Sequence, residues 1–142
     1  MTRFAAGVAW SALVLASLAG CGTSPYCQAV EDHKVSLNSL GEERTNTAFA
    51  QYARAFRAVA NVAPGNIRKD WTKLADVTNG VLTAQQSAGI KMEEMLNEKK
   101  LALVSADKLK VLNSAYEAFN GTTRERKAVV KNVKDECQIT LS

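Results

Sequence analysis

The chain is poor in the groups that hold metals or move protons: its 142 residues include a single histidine, His33. With Glu31 and Asp32 beside it, His33 could be read as a ligand or a general base. No second imidazole exists to complete a site, and the residue continues an apolar helical stripe, so a place at the edge of the core is expected. No two cysteines stand in C-x-x-C spacing, which removes a redox motif of that kind. G-x-S-x-G and glycine-rich phosphate loops are missing. Ser105-Ala106-Asp107-Lys108 spells S-x-x-K without its companion motifs and reads better as a helix cap. Glu93, Glu94 and Glu98 could suggest paired carboxylates. With Lys99 and Lys100 adjacent, they are expected instead to form a solvated face with i,i+4 pairs. Blocks of one charge, internal repeats and low-complexity tracts are also lacking, so nucleic acid is not an expected partner. These absences predict a protein that is not an enzyme and holds no metal or cofactor.

Charge is missing in one further place. Phe4 to Gly20 (FAAGVAWSALVLASLAG) contains no charged residue and follows the basic Arg3. A basic start, an apolar run diluted by Gly7, Ser11 and Ser17, and small residues at its end read as an export signal. At that end stands Leu18-Ala19-Gly20-Cys21, which resembles the lipobox of bacterial lipoproteins. The resemblance implies diacylglyceryl transfer to the Cys21 thiol and cleavage between Gly20 and Cys21, with an N-acyl chain such as palmitate as an optional addition. Small Ala19 and Gly20 suit the approach of a peptidase, and a thiolate is the natural nucleophile for thioether formation. An ordinary signal peptide and an uncleaved N-terminal anchor are the other readings of the segment. The expected division is a signal peptide over 1–20, a lipidated tether over 21–24 and one helical domain over 25–142.

Export implies an oxidising compartment, where paired cysteines are disulfides. The chain has three, Cys21, Cys27 and Cys137. If Cys21 carries lipid, Cys27 and Cys137 form the remaining pair. From Cys21 onward there are 17 Lys and Arg against 14 Asp and Glu, a mild and well-mixed excess.

Periodicity in the remainder is helical. Ser24-Pro25 is a good start, with Ser as N-cap and Pro at the first helical position. Tyr26, Val30, His33, Leu37 and Leu40 form one face that stops at Gly41. A second helix starts near Thr45 to Thr47 and ends before Pro64, carrying Phe49, Tyr52, Phe56, Val59 and Ala63. The third carries Ile67, Trp71, Leu74, Thr78, Val81 and Gln85 and ends near Gly89. Asn79-Gly80 could be a hairpin turn, but the stripe passes through it, so a helix with a local break at Gly80 is expected. Residues 90–104 (IKMEEMLNEKKLALV) are ambiguous. Ser105 caps a further helix that stops at Asn120-Gly121. Thr122 and Glu125 then form a capping box that opens the last helix, with Arg126, Val130, Val133 and Cys137 along one side. The fold class is therefore all-α, a bundle of four to five amphipathic helices. Antiparallel first and last helices would bring Cys27 to Cys137 and clasp the bundle at its membrane-proximal end.

Two surfaces are candidates for binding. Arg124, Lys127, Lys131 and Lys134 recur at spacings of 3, 4 and 3, opposite the apolar side of the last helix. They could contact anionic headgroups or cell-wall polymers, or be an ordinary solvated face. Phe49, Tyr52, Phe56 and Trp71 could line a pocket, or simply be core.

Across most of its length after Cys21, the chain is similar to the small, helical, disulfide-clasped lipoproteins of actinobacteria. The residues that carry this resemblance are Cys21, Tyr26-Cys27-Gln28-Ala29-Val30, Ala63-Pro64, Ser105-Ala106-Asp107-Lys108 and Cys137. The Lys- and Met-rich stretch 90–104 departs from it. That group implies a location and an architecture and no established activity. The expected function is thus non-enzymatic: a lipoprotein on the extracytoplasmic face of a bacterial membrane that binds an envelope protein or an anionic polymer. The alternative is a carrier of a small apolar ligand or lipid in the bundle core.

Overall fold

Ser24 opens the first helix as its composition predicts. In a computed structural model that describes residues 23–142, its hydroxyl accepts from the Cys27 amide at 3.2 Å and Pro25 fills the first turn of α1 (Pro25–Asp32). The expected single helix to Leu40 is instead two segments. His33 has φ −107° and ψ 6°, and α2 (Lys34–Asn38) restarts beyond it. The kink lets Val30 and Leu37 both bury against the next helix and leaves Val35 in solvent. Chain reversal follows at Gly41, whose φ of +92° is the left-handed conformation that glycine tolerates.

Thr45 caps α3 (Asn46–Val62), its side chain accepting from the Ala48 amide at 3.1 Å. Pro64 separates α3 from α4 (Gly65–Ala88) and supplies the carbonyl that accepts from Ile67 and Arg68. All six stripe residues of α4, from Ile67 to Gln85, are buried. No break occurs at Gly80; the helix runs through it for 24 residues and ends at Gly89, φ +71°. Burial of Val77, Thr78 and Val81 on either side of Gly80 outweighs its weak helix propensity.

Residues 90–104 form a 3₁₀ turn at Met92–Glu94 and a single-turn α5 (Glu98–Leu101). Ile90, Met92 and Val104 are its buried anchors, whereas Leu96 and Leu103 are 96% and 86% exposed. Asn46 fastens the segment to α3, accepting from the Met92 amide at 2.8 Å while its own amide donates to Glu93 Oε2 at 3.1 Å. The chain ends in α6 (Ala106–Asn120) and α7 (Thr123–Cys137). Ser105 holds the N-cap position of α6 without a side-chain bond. The capping box expected before α7 does not form. Thr122 Oγ1 donates back to Phe119 O at 2.6 Å, and Glu125 pairs with Arg124 instead of the Thr122 amide.

All regular elements among the described residues are helical, which makes this an all-α bundle. Its spine is α4: α3 packs antiparallel along it, and α6 and α7 lie against it on other sides. The short α1 and α2 cover α3, and α1 also meets α7. One apolar cluster, centred on Tyr52, Val59, Trp71 and Val133, joins α1 to α4 and α7. A smaller one, with Ala84, Ala88, Ile90, Val104 and Leu112, closes the far end of α4 against α6. No described helix is long and apolar enough to cross a membrane.

Candidate functional site

The last helix is the element on which the candidate features converge. Its inner side presents Arg126, Val129, Val130, Val133 and Cys137 to the bundle, where α7 packs on α1 and α4, and its outer side carries the four basic residues. Cys137, in the final turn, is bonded to Cys27 in the first turn of α1, with 5.2 Å between Cα atoms. The two ends of the sequence's helical part are thereby joined across 110 positions. Beside this bond Tyr26 makes a polar bridge: Trp71 Nε1 donates to its hydroxyl at 3.1 Å, and the hydroxyl donates to Asn132 Oδ1 at 2.8 Å. One phenol therefore links α1, α4 and α7. Burial raises its pKa, the indole bond opposing that shift. Gly20 and Cys21, the expected cleavage and lipidation residues, lie outside the described residues.

Arg124, Lys127, Lys131 and Lys134 are all exposed. They are not equivalent. Arg124 donates to Glu125 Oε1 at 2.8 Å, a bond that raises the arginine's pKa and holds the carboxyl below the usual range. Lys131 pairs with Asp135 one turn on, which raises the lysine's pKa. Lys127 and Lys134 make no ion pair among the described residues. Half of the stripe is thus already partnered, and its free charge is smaller than the spacing alone suggests.

The aromatic residues of α3 and α4 are packed against one another, and two of them, Phe56 and Trp71, also border a cavity. Phe49 meets Tyr52 edge-on at 5.8 Å and Phe119 at 5.1 Å, and Phe56 lies 6.0 Å from Trp71. A cavity of about 70 Å³ touches this cluster where Phe56, Trp71 and Leu74 face Leu37, Arg126 and Leu141. Sequence reasoning placed Arg126 on the inner side of α7 and gave it no role. It missed Leu141 altogether, which is 7% exposed because residues 138–142 fold back over α2. The alternating apolar pair Ile139 and Leu141 was the available signal.

His33 is half-buried at the α1–α2 kink. No group of three or more His, Cys, Asp or Glu side chains gathers as a metal site among the described residues. The acidic residues of 90–104 serve local structure. Glu94 pairs with Lys100, six positions away because the segment is no continuous helix, and accepts from the Lys91 amide at 3.0 Å. The bond to Lys100 holds the Glu94 carboxyl below the usual range. Two apolar side chains of the same segment, Leu96 and Leu103, flank α5 in solvent. No family model matches the chain, and no curated protein or solved structure is significantly similar to it.

Proposed function

We propose that this chain is a bacterial lipoprotein, anchored through Cys21 to the extracytoplasmic face of a membrane, that acts by binding an envelope partner and not by catalysis. The observation that carries this reading is the cysteine pairing. The bond between Cys27 and Cys137 accounts for two of the three thiols, and the one left over is the Cys at the end of Leu18-Ala19-Gly20-Cys21. An exported protein has reason to keep an odd cysteine there if the thiol receives a diacylglyceryl group. The three residue steps from Cys21 to Ser24 span at most about 11 Å, so the anchor would hold the disulfide end of the bundle close to the headgroups. One acyl chain binds a membrane marginally and two hold it stably, which suits a doubly acylated thioether.

Metabolic labelling with palmitate tests the anchor. The natural chain is expected to incorporate label and partition into detergent, and Cys21→Ser to lose both. An intact mass showing a free thiol and amine at Cys21 would sink the reading. Support for an anionic polymer or headgroup as partner comes from Lys127 and Lys134, the two cations of the α7 face that make no ion pair among the described residues. Lys127→Glu with Lys134→Glu is expected to weaken binding of the unlipidated protein to anionic vesicles severalfold at low salt, with Arg124→Glu doing less. Equal effects from all three would show that pairing does not matter. The exposed Leu96 and Leu103 instead favour a protein partner at α5. A carrier role is favoured by a separate observation, the cavity beside Phe56 and Trp71.

A further inference from the structure

Arg126 is the charged side chain whose surroundings fit its charge least well. It is half-buried, and its bonds go to neutral acceptors: Nη2 donates to Phe119 O at 2.9 Å and Nε to Thr122 Oγ1 at 3.1 Å. Its guanidinium stacks 4.6 Å from the Phe119 ring centre. It makes no ion pair among the described residues, in contrast to Arg57 and Arg124. Burial lowers its pKa without a carboxylate to offset the shift. A guanidinium has five N–H donors, so several remain for a ligand.

The same side chain lines the cavity of about 70 Å³, whose other walls include Leu37, Phe56, Trp71, Leu74 and Leu141. An apolar slot with one cation on its wall is complementary to an alkyl chain that ends in a carboxylate. The space is smaller than the roughly 150 Å³ that admits benzene, so a chain of useful length needs more room. Leu141 is the wall best placed to give it. Beyond α7 its segment is held by Gln138, which bonds back to Asp135 O at 3.1 Å, by Ile139 packed on the core, and by Ser142. The Ser142 amide donates to Asn38 Oδ1 at 3.0 Å and its hydroxyl donates to Asn38 O at 3.4 Å, both exposed.

We propose that this cavity is a binding site for a medium-chain alkyl carboxylate, with the carboxylate on Arg126, the chain along Phe56, Trp71 and Leu74, and Leu141 as a plug that the ligand displaces. The proposal rests on the carrier reading and adds the chemical class of the cargo. Trp71 lines the site and reports on it once the other tryptophan, Trp10, is removed. The full chain carrying Trp10→Phe and Cys21→Ser is titrated with sodium octanoate, octanol and octylammonium below their micelle-forming concentrations, following indole emission. Octanoate is expected to bind saturably and at least about tenfold more tightly than octanol, with octylammonium weakest. Leu141→Ala is expected to tighten octanoate about threefold or more. Arg126→Gln is expected to bring octanoate down to the level of octanol and leave octanol unchanged. The three-headgroup comparison on the natural arginine decides the matter even where Arg126→Gln fails to fold. Equal affinity for octanoate and octanol overturns the carboxylate site and leaves an apolar carrier. No saturable binding of either, in the parent and in Leu141→Ala, overturns both.

Discussion

Tyr26 shows how much one side chain can be asked to hold. Its ring is buried and its hydroxyl both accepts from Trp71 and donates to Asn132, so three helices meet at one oxygen. Tyr26→Phe keeps the ring and strands a buried indole N–H and an amide oxygen. A loss of about 1–3 kcal/mol is expected, because each buried group left without a partner keeps its full desolvation cost. Urea unfolding would measure it, and a midpoint like the parent's would mean that water replaces the phenol. The periodicity of α1 marked Tyr26 as inward-facing, but nothing in it could say that Asn132, 106 positions away, supplies the acceptor. Arg126 has the same lesson. Its position on the inner side of α7 was legible, while its bonding to neutral acceptors, with no carboxylate paired to it among the described residues, belongs to the packing. Tertiary surroundings, which local spacing does not encode, decide whether an inward arginine is a structural tie or a free cation.

At the scale of elements, the spacing of apolar residues located each long helix, and caps with a clear side-chain acceptor, Ser24 and Thr45, began where they were expected. Failures came where two local signals competed. Glycine at position 80 argued for a break and the buried stripe for continuity, and burial won by packing α4 against α3 and α6. A methyl group added at Gly80 would meet nothing within 4 Å. Gly80→Ala is therefore expected to stabilise the bundle by about 0.5–1 kcal/mol through helix propensity and reduced unfolded-chain entropy. A thermal melt should show this as a rise of a few degrees; a fall would mean that α4 needs the local freedom. The Thr122–Glu125 box failed for the opposite reason. Thr122 is buried in a tight turn after α6, and its hydroxyl reaches the Phe119 carbonyl before it can cap α7.

The whole molecule is a long α3–α4 hairpin with three further layers, and the disulfide closes it by bonding the first described helix to the last. Cross-linking a loop of this size removes unfolded-chain entropy worth about 4.7 kcal/mol in the chain-entropy account, and measured values lie between about 2 and 5. Replacing both cysteines, Cys27→Ser with Cys137→Ser, is expected to lower the unfolding free energy by that amount while preserving the far-UV helical signal. Reductant added to the natural chain should match it. An unchanged urea midpoint would show that the bundle's own packing already confines the ends. The end so clasped is also where residue 23 enters the fold, so any anchor upstream of it would draw the Tyr26–Trp71–Asn132 junction toward the membrane rather than the exposed Leu96 and Leu103.

Sequence alone determined the long helices and their buried stripes. The pairing of Cys27 with Cys137 followed only on the expectation that the lipobox-like Leu18-Ala19-Gly20-Cys21 sets Cys21 apart, and the structure supplies the bond. Helices, stripes and motif are properties of neighbours along the chain, where a period of 3.6 or a four-residue motif suffices. Tertiary structure decided that the basic face of α7 is half neutralised, that residues 138–142 return to cover a cavity, and that Arg126 lies beside it with no ion pair among the described residues. Such features depend on which side chains meet across tens of positions; the apolar pair Ile139 and Leu141 signals an inward-facing tail locally but not what that tail covers.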